Sequence, residues 1–162
     1  MIKQSRPALA VVFALLASLI GDIPVSAAET LPGPIPARVL RVVDGDTIEV
    51  SVRIWLATQL TTLVRIDGLD TPELRGRCPG ERILAKQARD FLRAFADGRE
   101  VSLTGISYGK YAGRILATVT VIADTERSSD ELAVDRDVAT VMQAAGFGRP
   151  YWGGRRATWC ED

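Results

Sequence analysis

The sequence predicts an α+β domain: a small five-stranded β-barrel with two packed helices. Three observations carry that expectation. Five stretches combine β-branched residues with apolar alternation, and two others place apolar residues at helical spacing. Their order is three strands, a helix, two strands and a helix, within a chain of 162 residues.

The first strand is expected over 37–43 and the second over 47–55, where Ile48, Val50, Val52 and Ile54 share one face. In the third, 61–67, Val64 and Ile66 face one way, which turns Arg65 to the other side. A helix over 81–96 follows, with Leu84, Ala88, Phe91, Leu92 and Phe95 at helical spacing and Asp97-Gly98 as its stop. Strands over 99–105 and 113–122 come next. A second helix over 137–145 is striped by Val138, Val141, Met142 and Ala145, and Gly146 is placed to cap it. The charged stretch 123–131 reads as an exposed loop. Five short strands leave edges open unless they close on themselves, so a Greek-key barrel of the OB-fold kind suits the count.

The ends of the chain read differently. Lys3 and Arg6 precede an apolar run, ALAVVFALLASLI (8–20), and small residues follow at 25–28. That order is a secretory signal, with cleavage expected after Ala27. The product is therefore expected to be secreted or periplasmic, with no membrane anchor. AETLPGPIP (28–36) reads as a flexible Pro-rich leader, and 37–162 as the single domain. Some 135 residues suffice for one core.

Composition excludes several chemistries. Lys plus Arg and Asp plus Glu both number 20, so bulk charge does not make this a nucleic-acid coat, although arginines can still gather in one cleft. Histidine is absent, which removes His-based zinc sites and Ser-His or Cys-His nucleophile pairs. Two cysteines, Cys78 and Cys160, persist in a chain expected to be exported. If paired, they close a loop of roughly eighty residues and stabilise by about 4 kcal/mol in the chain-entropy reading; the alternative is two free thiols.

Two acidic motifs carry the chemistry. In VVDGDTIEV (42–50), Asp44-Gly45 is a hairpin-turn signal, but Asp46 begins a strand where Asp is disfavoured. In RIDGLDTPE (65–73), Asp70, Pro72 and Glu73 have the form of a capping box, yet LRGRCPG follows and is a poor helix start. If strands two and three are neighbours, Asp46 and Asp70 converge, with the Thr71 carbonyl as a further oxygen. Hard oxygen donors without His or Cys suit calcium or magnesium. Arg65 supplies a planar fork of donors suited to phosphate oxygens. Further along, YGKYAGRILA (108–117) sets Lys110, Tyr111 and Arg114 at a strand entry, where an aromatic can stack on a base between phosphate-holding cations.

VVDGDT, RIDGLDTPE and GKYAGRILA, in this order and with a helix between the last two, resemble the thermonuclease (staphylococcal-nuclease-like) family. The resemblance runs from about Arg38 to Tyr151. It implies an OB barrel and a calcium-dependent phosphodiesterase, calcium rather than magnesium, that cuts DNA and RNA to 3′-phosphates. It assigns Asp46, Asp70 and the Thr71 carbonyl to the metal and Glu73 to the general base. Arg65 and Arg114 become the phosphate-binding and transition-state-stabilising pair, and Lys110, Tyr111 and Tyr151 the nucleotide contacts. KYAGR carries one residue more before its arginine than the common KYGR, which bears on the reach of Arg114. DNA and RNA are thus the expected partners, with no obligate protein partner and a monomeric state. The rival expectation is an OB-fold module that binds nucleic acid or another anionic polymer without cutting it.

Overall fold

The structure is a computed structural model and describes residues 29–109, 113–123 and 134–160. Its elements are β1 (Thr30–Leu31), β2 (Ile35–Val42), β3 (Thr47–Trp55), β4 (Thr58–Ile66) and β5 (Gly68–Asp70). Helix α1 (Pro79–Ala96) is followed by β6 (Glu100–Tyr108), β7 (Arg114–Val121), β8 (Arg136–Asp137), α2 (Val138–Ala144) and β9 (Arg149–Tyr151). Strand β2 pairs with β3 and with β6, β3 with β4, and β6 with β7, all antiparallel. The one parallel pairing, β4 with β7, completes the ring. The five expected strands thus close into an OB-like barrel with two helices.

Alternation fills the barrel. Val39, Ile48, Val50, Val64, Ile66, Val101, Leu103, Ala117 and Val119 are buried inside it, and alternate residues face out. The expected inward row of β3 stops at Val52. A register shift between Arg53 and Trp55 rotates the strand, and Ile54 is exposed. Helix α1 lays Ala88, Leu92 and Ala96 onto the core, with Phe91 and Phe95 at its margin. It ends at Asp97, as Gly98 takes a left-handed φ of 71°. Helix α2 starts where the Asp137 side chain accepts from Thr140 N at 2.7 Å. Past its end, Gly146 N donates to Gln143 O and Phe147 N to Met142 O, the Schellman pattern foreseen for Gly146. Ala145 is exposed, and Ala139 takes its place in the buried stripe.

One expectation is corrected. Residues 30–36 are not an unpacked leader. Thr30 and Leu31 pair with Ser107 and Ile106, Ile35 opens β2 opposite Leu103, and Pro32 O accepts from Gly105 N at 3.0 Å. The prolines are tolerated because Pro32 and Pro34 fall between β1 and β2, and Pro36 lies at the start of β2, before its pairing with β3 begins at Ala37. The expected signal sequence, 1–27, lies outside the described residues, as do residues 124–131 of the charged stretch. No helix among the described residues is long and apolar enough to cross a membrane.

Two features of this frame position the acidic motifs. The turn before β3 is closed by Val43 N and Asp44 N, both donating to Thr47 O. Gly45 in that turn lies so close to the segment after β5 that a Cβ there would stand 2.7 Å from Thr71 Oγ1 and 2.9 Å from Thr71 Cβ. Glycine is therefore needed for close approach, and it presses one acidic motif onto the other. Gly45→Ala should destabilise the fold by about 1–3 kcal/mol, the usual cost of overpacking. Urea denaturation checks this through a lowered midpoint at constant slope; an unchanged midpoint would show that Thr71 yields freely.

Candidate active site

Asp46 is the first residue delivered. It ends the turn before β3, its backbone N–H donating to Asp44 Oδ1 at 3.1 Å and its carbonyl accepting from Ile66 N at 2.9 Å. The side chain is buried, with Oδ1 accepting from Thr47 Oγ1 at 3.1 Å and from Arg65 Nη1 at 2.6 Å. Arg65 faces away from the core, as the alternation of Val64 and Ile66 requires, and pairs across the ladder with Thr47. Its other nitrogen, Nη2, donates to Leu69 O at 3.2 Å. One guanidinium thus ties the start of β3 to β5.

Asp70 closes β5, which is held by β9 through the pairs Gly68–Tyr151, Leu69–Pro150 and Asp70–Arg149. Asp70 and Thr71 are both buried. No helix follows Glu73. The chain turns, with Gly76 N donating to Glu73 O, and α1 begins only at Pro79. The helix start is served instead by Glu81, which reaches back to accept from Arg77 N at 2.8 Å and Glu73 N at 3.3 Å. Glu73 keeps its own side chain half exposed and free of that capping duty.

Asp46, Arg65, Glu73, Arg114 and Tyr151 line one cleft of about 900 Å³. Arg114 opens β7, which runs parallel to β4 with Leu116 opposite Arg65. Two positions before Leu116, Arg114 falls on the same outer face as Arg65. Residues 110–112 of KYAGR lie outside the described residues; Gly109 N donates to Arg114 O just before β7, and Arg114 lines the cleft. Lys110 and Tyr111 lie outside the described residues. Tyr151 donates its hydroxyl to Gly154 O at 2.9 Å. Asp70, Thr71 and Glu73 line an adjoining pocket.

Two residues in the site were not foreseen. Arg156 reaches across both pockets, its Nε 3.1 Å from Asp70 Oδ1 and its Nη1 paired with Glu73 Oε1. Trp159 donates Nε1–H to Asp70 Oδ2 at 3.1 Å. Arg149 anchors this tail, its guanidinium 3.7 Å over the Trp159 ring and its Nη1 donating to Thr158 O at 2.8 Å. Cys160 is bonded to Cys78, with Cα atoms 6.0 Å apart. The sequence held one signal for this. Pairing Cys160 with Cys78, five residues after Glu73, necessarily brings RRATW to the acidic motif. The bond also indicates a non-reducing compartment.

Cys78, Glu81 and Cys160 bring three donor atoms within 4.8 Å of one another. The sulfurs are bonded to each other, so this group offers no thiolate, and Glu81 is already engaged by two backbone N–H groups. The donors that suit a hard cation are instead the oxygens of Asp46, Asp70 and Thr71. Asp70 Oδ1 is buried and receives no hydrogen bond, although Arg156 Nε lies 3.1 Å from it as an ion-pair partner. A carboxylate oxygen left in that state fits a ligand for a cation.

Charge in the site is strained by burial. Burial pushes the Asp46 carboxyl above the usual aspartate range; Arg65 opposes this, Asp44 adds to it, and Thr47 and Arg156 oppose it. Burial works against the Arg156 charge, but its hydrogen bond to Glu73 and the charges of Glu73, Asp70 and Asp46 outweigh it and raise its pKa. Because the folded state holds the Asp46 proton more tightly than the unfolded chain, this residue favours folding below the ordinary aspartate range. That contribution is lost as pH rises through the raised value. Asp46→Asn carries no charge to bury, so its stability should decline less than wild type over that window in metal-free buffer. Urea midpoints of both proteins from pH 3 upward measure the difference, and parallel profiles would refute it.

No protein-family model matches this chain and no curated protein matches it, so its chemistry is to be read from the site.

Proposed function

We propose that this chain is an exported, metal-dependent nuclease that hydrolyses phosphodiester bonds of DNA and RNA. The observation that carries the reading is one cleft in which Asp46, Glu73 and Tyr151 stand with two guanidiniums on neighbouring strands, Arg65 and Arg114. The 3′-phosphate products and the choice of calcium follow from the resemblance to the thermonuclease family. Export follows from the signal-like residues 1–27 together with the disulfide.

The residues suit a phosphodiester for reasons of charge. Attack at phosphorus builds negative charge on the equatorial oxygens, so guanidiniums aimed there stabilise the transition state more than the ground state. Arg65 spends one N–H on Asp46 and one on Leu69 O, which leaves the rest of its five donors for phosphate. Because both of those contacts are internal, its fork is oriented before substrate arrives. Arg114 adds a second fork from β7. A divalent cation held by Asp46, Asp70 and the Thr71 carbonyl would polarise the phosphoryl oxygen and acidify a water. Glu73, half exposed at the cleft and not committed to helix capping, accepts the proton of the attacking water. Tyr151 borders the cleft as an aromatic surface for a base.

Cleavage of DNA and RNA in calcium, abolished by chelator, is the expected result for the purified mature protein. Retained nucleic-acid binding without cleavage would instead favour the non-catalytic OB module. Glu73→Gln should lower turnover by about two or more orders of magnitude while metal-dependent nucleotide binding persists, as for a lost general base. Arg65→Lys keeps a charge beside Asp46 but loses the planar fork, so turnover should fall about 100-fold with only a small change in melting temperature. Equal losses of activity and stability would make Arg65 a structural support.

A further inference from the structure

The C-terminal tail brings a cation of its own to the acidic site. Arg156 is in ion-pair contact with both Asp70 and Glu73, and its charge is felt at Asp46. It is seated there by a built structure. Cys160, four residues on, is bonded to Cys78, Trp159 donates to Asp70, Arg149 holds Thr158 and Trp159, and Arg156 lies 5.6 Å from the centre of the Tyr151 ring. The same guanidinium also lines the cleft that holds Arg65 and Arg114.

We propose that Arg156 makes cation binding conditional on phosphate: it competes with a divalent cation for Asp70, and when displaced it serves as a third fork for substrate phosphate. This rests on the nuclease reading given above. The physical reason is that one guanidinium cannot serve both partners fully. Paired with Asp70 and Glu73, it cancels much of the negative potential that attracts a cation. Once a doubly charged ion draws on Asp70, like charges repel, and Arg156 gains most by turning its donors to an anion in the adjoining cleft. A phosphodiester there relieves the repulsion, so cation and phosphate each strengthen the other's binding. Such coupling is reciprocal. Without Arg156 the carboxylates would bind the cation well by themselves, and phosphate would add little.

Titration calorimetry with calcium chloride, in the presence and absence of adenosine 3′,5′-bisphosphate, tests this on the oxidised mature protein. Arg156→Gln should bind calcium alone about tenfold or more tightly than wild type, with a smaller gain on adding the bisphosphate. The bisphosphate alone should bind Arg156→Gln more weakly. Arg156→Lys retains the charge and should stay near wild type in calcium affinity. The tail keeps its disulfide, Arg149 and Trp159 contacts in both variants, and a melting curve confirms that they fold. If Arg156→Gln binds calcium no more tightly than wild type while cleavage persists, the competition is refuted and the nuclease reading survives. If wild type and variants neither bind calcium nor cut nucleic acid, both readings fall.

Discussion

Burying Asp46, just before β3, and Asp70, at the end of β5, is the constraint around which the site is built. Each is almost wholly removed from water, and an isolated buried carboxylate would cost several kcal/mol or would take up a proton. The fold answers with three hydrogen-bond donors and one ion-pair partner. Thr47 and Arg65 serve Asp46, while Trp159 and Arg156 serve Asp70. Arg65 does more than neutralise. By donating also to Leu69 O it joins β3 to β5, so the compensation of one acid helps to place the other.

The barrel makes that arrangement rigid. Arg65 and Arg114 share an outer face because β4 and β7 run parallel and in register, and that pairing is also what closes the ring. Closure and guanidinium placement are thus one event. On the opposite flank, β5 and β9 form a short separate sheet that carries Asp70 and Tyr151. Gly45 lets the turn of β3 touch Thr71, the contact that brings the two flanks together.

Charge compensation also accounts for the tail. Residues 155–160 lack regular structure, yet they meet the acidic site through an ion pair, an indole hydrogen bond and a cation–π contact. A segment with so little backbone pairing would not stay seated on side-chain contacts alone. The Cys78–Cys160 bond, across a separation of 82 residues, removes much of its freedom in the unfolded chain and keeps those side chains at the site.

Much of this was legible in the order of residues. Strand and helix patterns name the barrel because core burial imposes periods of 2 and 3.6 that survive in composition, as Ile48, Val50, Leu92 and Met142 show. The turning of Arg65 away from Val64 and Ile66 was legible for an equally local reason, and the pairing of Cys78 with Cys160 because the chain has two cysteines and a signal-like start. The leader was misread because its prolines and glycine mark loops, whereas they sit between β1 and β2 or at the start of β2, and Leu31 finds a partner only when β6 is present. Arg156 was invisible for a related reason. In sequence it is one of two adjacent arginines after a Gly-Gly pair, and nothing nearby distinguishes it from its exposed neighbour Arg155. The sequence by itself determined which acids and arginines exist and which strand faces they occupy, since side-chain alternation is a property of the local backbone. Only the tertiary structure decided that Asp70 meets Arg156 and Trp159, because an ion pair 86 residues apart in sequence is set by how the closed barrel and the disulfide route the chain.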